Sequence, residues 1–145
     1  MAEQQVGFNA LTCEAIGYYV YALIDPRDQK PFYVGKGTGN RVFAHSADAL
    51  MSEVQTDKLD TIREIIKARL NVEHVILRHG LDEKVALEIE STLLDFANFF
   101  QLDLKNLVAG HHSSTFGAMT TDELNRKFNA PPLEVLGQDL SLIHI

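Results

Sequence analysis

The chain has 145 residues, 46% hydrophobic and 23% charged, enough for one domain with one hydrophobic core and an ordinary globular surface. A formal charge of −7 argues against non-specific nucleic-acid binding, which runs on basic surface, and no apolar run approaches the length of a membrane span. The one cysteine, Cys13, excludes an internal disulfide and a cysteine-based zinc site; it reads as a small apolar filler in a reducing, cytoplasmic setting.

Residues 1–16 lack the basic flank and long apolar run of an export signal, and without a strong period they read as a lead-in at the domain edge. The run 19–24 is aromatic and β-branched and predicts a strand, with Tyr19, Tyr21 and Leu23 on one face and Val20, Ala22 and Ile24 on the other. Asp25-Pro26 opens a turn, and Phe32-Tyr33-Val34 returns as a second strand over 31–34. Gly35, Gly37 and Gly39 follow without the spacing of either glycine-rich phosphate motif, which predicts a tight turn aiming the next helix at the strand ends. That helix is expected over 38–50, with Val42, Phe43 and Ala49 inward. A second is expected over 57–70, with Leu59, Ile62, Ile66 and Leu70 at helical spacing and Lys58, Arg63, Glu64 and Lys67 outside.

A third strand is expected over 72–77, then a third helix over 82–100 with Asp82 as N-cap and a buried stripe of Val85, Ile89, Leu93, Phe96 and Phe100. Past Asn106 the chain loosens, and the adjacent His111-His112 pair reads as loop rather than as a metal site. Thr120-Thr121-Asp122-Glu123 matches a capping box for a short helix to about residue 128, stopped by Pro131-Pro132. The expected layout is a lead-in over 1–16, an α/β domain over 17–110, an extension over 111–139 and a tail over 140–145. The tail looks like the in-frame translation of a transposon end used in preparing sequencing libraries, so the natural chain is expected to continue past Asp139.

The residues that could carry chemistry lie mostly in the first half. Between Lys30 and Ala47 there is no acidic residue, while Lys30, Lys36 and Arg41 all fall there, giving a locally positive patch on an acidic body. Lowering a phenol pKa from about 10 to neutrality takes about 4 kcal/mol, and Lys36 and Arg41 push Tyr21 and Tyr33 that way. Such a tyrosine pair could deprotonate water; equally, both rings could simply fill a sheet face. Arg41 can fork two hydrogen bonds onto a phosphate, and His45, four residues on, would share its helix face. Surface charge and packing are the plain alternatives for these two. Glu90 falls on the shoulder of the third helix's stripe, where a carboxylate needs a divalent cation or an arginine, or forms an ion pair that only staples the helix.

These residues resemble the GIY-YIG endonuclease family, in the branch related to the LEM-domain nucleases. Tyr19-Val20-Tyr21 stands at the first signature triplet and Tyr33-Val34-Gly35 at the second. Gly35-Lys36-Gly37 with Asn40-Arg41-Val42-Phe43-Ala44-His45 is similar to the segment that follows. Glu90 in Ala86-x-x-x-Glu90-x-x-Leu93-Leu94 and Asn106 complete the likeness, which covers 19–106. The resemblance implies a small central three-stranded antiparallel sheet flanked by helices, and metal-dependent cleavage of phosphodiester bonds, with DNA as substrate by family habit. By position it implies Tyr21 and Tyr33 as the paired tyrosines, Arg41 on the scissile phosphate, Glu90 as ligand to Mg²⁺ or Mn²⁺, and Asn106 closing the domain. Lys36 would then lower the tyrosine pKa, His45 would assist proton transfer or phosphate binding, and Gly35, Lys36, Arg41 and Asn106 would line the substrate. Tyr19 stands where the first triplet has glycine, and the literal Gly17-Tyr18-Tyr19 leaves Tyr19 as the alternative first tyrosine. A catalytically weak module that binds nucleic acid or a protein is the other function class, and a further DNA-binding domain outside this stretch is expected to choose the substrate.

Overall fold

Alternating side chains make the first strand two-faced, and it becomes the middle of the sheet. In a computed structural model, which describes residues 7–106 and 116–129, β1 (Tyr18–Asp25) lies between β2 (Lys30–Gly37) and β3 (Glu73–Leu81). Both neighbours are antiparallel to it. Tyr19, Tyr21 and Leu23 face a core completed by Val42, Ala49, Leu59, Ile62 and Ile65. That core is supplied by α2 (Ala44–Met51) and α3 (Asp57–Lys67). Val20, Ala22 and Val34 face Ala86 and Leu94 of α4 (Glu83–Phe99) on the opposite side. A strand covered on both faces must be apolar at nearly every position, as β1 is.

Four sequence expectations change. The helix over 38–50 is instead a 3-10 turn, Arg41–Phe43, running into α2. Gly39 at φ 56° and Asn40 hold the chain off a helical start, and the Asn40 side chain accepts from the Phe8 N–H at 2.6 Å and donates to the Phe8 carbonyl at 3.3 Å. The lead-in is therefore part of the fold. Phe8 sets its ring edge-on to Tyr19 and Phe43, and α1 (Ala10–Ile16) follows under an Asn9 cap. Seven helical residues with none fully buried leave no period to read in the sequence.

The helix expected over 57–70 stops at Lys67, because Arg69 turns left-handed at φ 64°; Leu70 is 41% exposed and Ile65 replaces it in the core. On α4 the expected stripe is rotated. Val85, Phe96 and Phe100 are 43%, 53% and 58% exposed, while Ala86, Leu94 and Ala97 are buried. Alanines let the helix approach the sheet more closely than a row of large side chains would, so the small residues take the contact line. The capping box is as read: Thr120 and Glu123 exchange bonds of 2.9 and 3.1 Å at the head of α5 (Thr121–Phe128). His111, His112, Pro131, Pro132 and the tail 140–145 lie outside the described residues.

The sequence reading has Asn106 closing the domain and lining the substrate, and the fold takes up its side chain on the edge of β2. Its amide donates to the Val34 carbonyl at 2.7 Å and accepts the Val34 N–H at 3.2 Å, with the Lys105 N–H on the Phe32 carbonyl at 2.6 Å. The amide acts as one more residue of strand on the open edge of β2. Asn106→Ala is expected to lower the unfolding free energy by about 1–2 kcal/mol in a denaturant titration; an unchanged midpoint would rule out the clip as a stabilising contact.

Candidate active site

Strand register brings the two tyrosines together. Tyr21 pairs across β1 and β2 with Gly35, and Leu23 with Tyr33, so both phenols rise beside Gly35 with ring centroids 6.2 Å apart. A Cβ on Gly35 would lie 2.8 Å from the Tyr21 hydroxyl and 3.0 Å from the Tyr33 ring. This glycine sits inside a strand, not in the expected corner, and close approach of two rings is what requires it. Likewise a Cβ on Gly37 would meet Arg41 Cγ at 2.7 Å, so its absence lets the Arg41 stem cross the strand.

The two candidate first tyrosines differ in their hydrogen bonds. The Tyr19 hydroxyl donates to the Gly39 carbonyl at 2.7 Å and accepts the Val42 N–H at 3.1 Å, so it holds the turn that carries Arg41. The Tyr21 hydroxyl instead bonds Nε2 of His45, and the His45 ring lies 4.9 Å from that of Tyr33. Arg41 and His45 do not share a helix face: Arg41 is exposed on the 3-10 turn and His45 is buried on α2.

Burial dominates the electrostatics. It raises Tyr21 well above the usual phenol range, with the neighbouring Tyr33 adding to it and Arg41 pulling the other way. Tyr33 rises too, through burial and then the charge of Glu90. His45 is pushed down to about 4 by burial, then by the charges of Lys58 and Arg41, so it is a neutral imidazole at pH 7. Lys36 does not act on the tyrosines as the sequence reading expects. Its ammonium lies 3.7 Å from Glu83, and its charge and backbone N–H stabilise the Glu90 carboxylate. The expectation failed because Lys36 leaves β2 on the face opposite Tyr33 and Gly35, as strand alternation demands.

Glu90 occupies the middle of α4's buried line, between Ala86 and Leu94, rather than its shoulder. Its carboxylate is half-buried and its pKa raised, chiefly by burial, and its charge reaches both phenols. Lys58 is the residue that sequence reasoning missed. Taken as an outward charge of α3, it places its ammonium 4.6 Å from the Tyr33 ring centroid. Only its position in the first turn of α3, beside the buried Leu59, hinted at this.

The family model described as the LEM-3-like GIY-YIG domain matches residues 18–130. No curated protein and no solved structure matches.

The depressed His45 pKa makes stability depend on pH. Unfolded, the imidazole takes a proton near its ordinary 6.5; folded, it resists until about 4. The unfolded chain therefore gains protons first, and stability contributed above that ordinary pKa is lost as pH falls from 6.5 toward 4. His74, also lowered by burial, acts in the same direction, while the raised Glu90 opposes it at the acid end. Melting temperature is expected to fall from pH 7 to pH 5 in the parent protein and less steeply in His45→Gln; parallel curves would contradict the assignment.

Proposed function

The chain belongs to the LEM-3-like GIY-YIG nuclease family, and on that premise we propose that it is a metal-dependent endonuclease hydrolysing phosphodiester bonds in DNA. The observation that carries this reading is the buried Tyr21–His45 hydrogen bond beside the Tyr33 phenol.

A raised phenol pKa rules out a resting phenolate, so the base is the pair rather than either tyrosine alone. An attacking water gives its proton to the Tyr21 oxygen while the Tyr21 proton moves to Nε2 of the neutral His45. A phosphodiester bound beside the imidazole raises its basicity by its negative charge. The Tyr33 hydroxyl makes no hydrogen bond among the described residues and is free to orient that water. Arg41, exposed on the 3-10 turn, takes the phosphate oxygens on which charge grows. Glu90 is the residue that would hold the metal. A single half-buried carboxylate suits Mg²⁺ or Mn²⁺, hard ions that keep several of their own waters. When bound, the ion supplies Lewis-acid stabilisation of the leaving oxygen. Lys36, by its charge, favours the ionised form of Glu90 against the larger effect of burial.

The net charge of −7 favours a second reading, a module of the same fold that binds nucleic acid or a protein partner without cutting. Incubating the protein with linear, nicked and branched DNA, with Mg²⁺ and with EDTA, separates the two. Cleavage that EDTA abolishes is expected, lost in Glu90→Ala and Tyr33→Phe with melting curves unchanged; intact DNA in every lane would leave only the binding module. His45→Gln should slow cleavage by about 10²–10⁴ if the imidazole accepts the proton, whereas a parental rate would remove it from the mechanism.

A further inference from the structure

We propose that Lys58 is a substrate-contacting cation that, together with Arg41, brackets a backbone phosphate of the nucleic acid over the Tyr33 ring. The assignment rests on the nuclease reading above and adds a residue from α3 to a site otherwise built from β1, β2, α2 and α4.

Three observations carry it. First, the ammonium is fixed: it stands 4.6 Å from the Tyr33 centroid, on a half-buried stem in the first turn of α3. A lysine held over an aromatic face is oriented by the ring quadrupole but keeps donors for another partner. Second, neither Lys58 nor Arg41 has a carboxylate within ion-pair distance among the described residues. By contrast, Arg27 is paired with Asp25 at 2.8 Å and Lys36 with Glu83 at 3.7 Å. Third, Lys58 and Arg41 feel one another. Burial lowers the Lys58 pKa, Asp48 partly offsets it and Arg41 adds a smaller depression; the charges of Lys58 and Arg41 both depress His45, again with Asp48 opposing.

Two cations without an ion-pair partner among the described residues, both acting on the same buried histidine, make a locally positive spot beside the Tyr33 ring. An anion bound there gains attraction from both. A phosphodiester suits the pair in charge: Arg41 offers a planar fork and Lys58 a point charge. The positive spot is local, so it coexists with the acidic character of the whole chain.

The test is binding of a short fluorescein-labelled DNA duplex in EDTA, followed by anisotropy across a NaCl series. Lys58→Met keeps the stem on the ring and removes the charge. It is expected to weaken binding severalfold and to reduce the slope of log K against log salt by about 0.9, the value of one phosphate contact. Lys58→Arg should restore the slope, and Lys67→Met, on the exposed last turn of α3, should match the parent. Melting curves run in parallel check that Lys58→Met stays folded. A Lys58→Met slope equal to the parent's overturns the assignment of Lys58 alone. A parent that cuts DNA in Mg²⁺ but shows no salt-dependent binding does the same, whereas a parent that neither binds nor cuts overturns the nuclease reading with it.

Discussion

A buried phenol and a buried imidazole meet at the centre of this molecule. Tyr21 is 1% exposed and His45 4%, and their side chains meet through the Tyr21 hydroxyl and His45 Nε2. Leaving either polar group unpaired at that depth would cost free energy, so the bond ties α2 to the central strand. It also sets the protonation of the site. A buried imidazole flanked by cations is neutral, and a buried phenol is protonated, so the resting pair holds one transferable proton in a defined place.

Space for that pair comes from what is missing elsewhere. Gly35 contributes no side chain where the Tyr21 and Tyr33 rings converge, and Gly37 none where Arg41 crosses. On the other face of the sheet, Ala86 and Ala97 bring α4 in close, which carries Glu90 toward the strands. Tyr19, one pleat from Tyr21, serves the same end by clamping the Gly39–Val42 turn. The Asn106 amide then closes the open edge of β2 just where Tyr33 and Gly35 sit. Each contact is modest, and together they leave the site little freedom to spread.

Charge is divided by the sheet. Lys36 and Glu90 answer each other on the α4 side, while Arg41 and Lys58 stand beside the aromatic rings on the other. Alternation along β2 makes that division, since successive residues of a strand point to opposite faces. A lysine two positions from a tyrosine shares its face, whereas a lysine three positions away, as Lys36 is from Tyr33, does not.

The amino-acid sequence alone determined the three strands and their order among the helices after them, though not α1 or the 3-10 turn, together with the two-faced character of β1 and the residue types from which the candidate site is made. Period and polarity report which side chains avoid water, and that information is local to each segment. Which tyrosine meets His45, which way α4 is rolled, what Asn106 bonds and where Lys58 rests were decided only in the folded chain. Those outcomes depend on how closely two backbones approach and on which neighbour fills the gap, and both are properties of segments far apart in sequence. Tyr19 and Tyr21 are the same residue on the same strand face; a carbonyl within reach of one hydroxyl and an imidazole within reach of the other are what tell them apart.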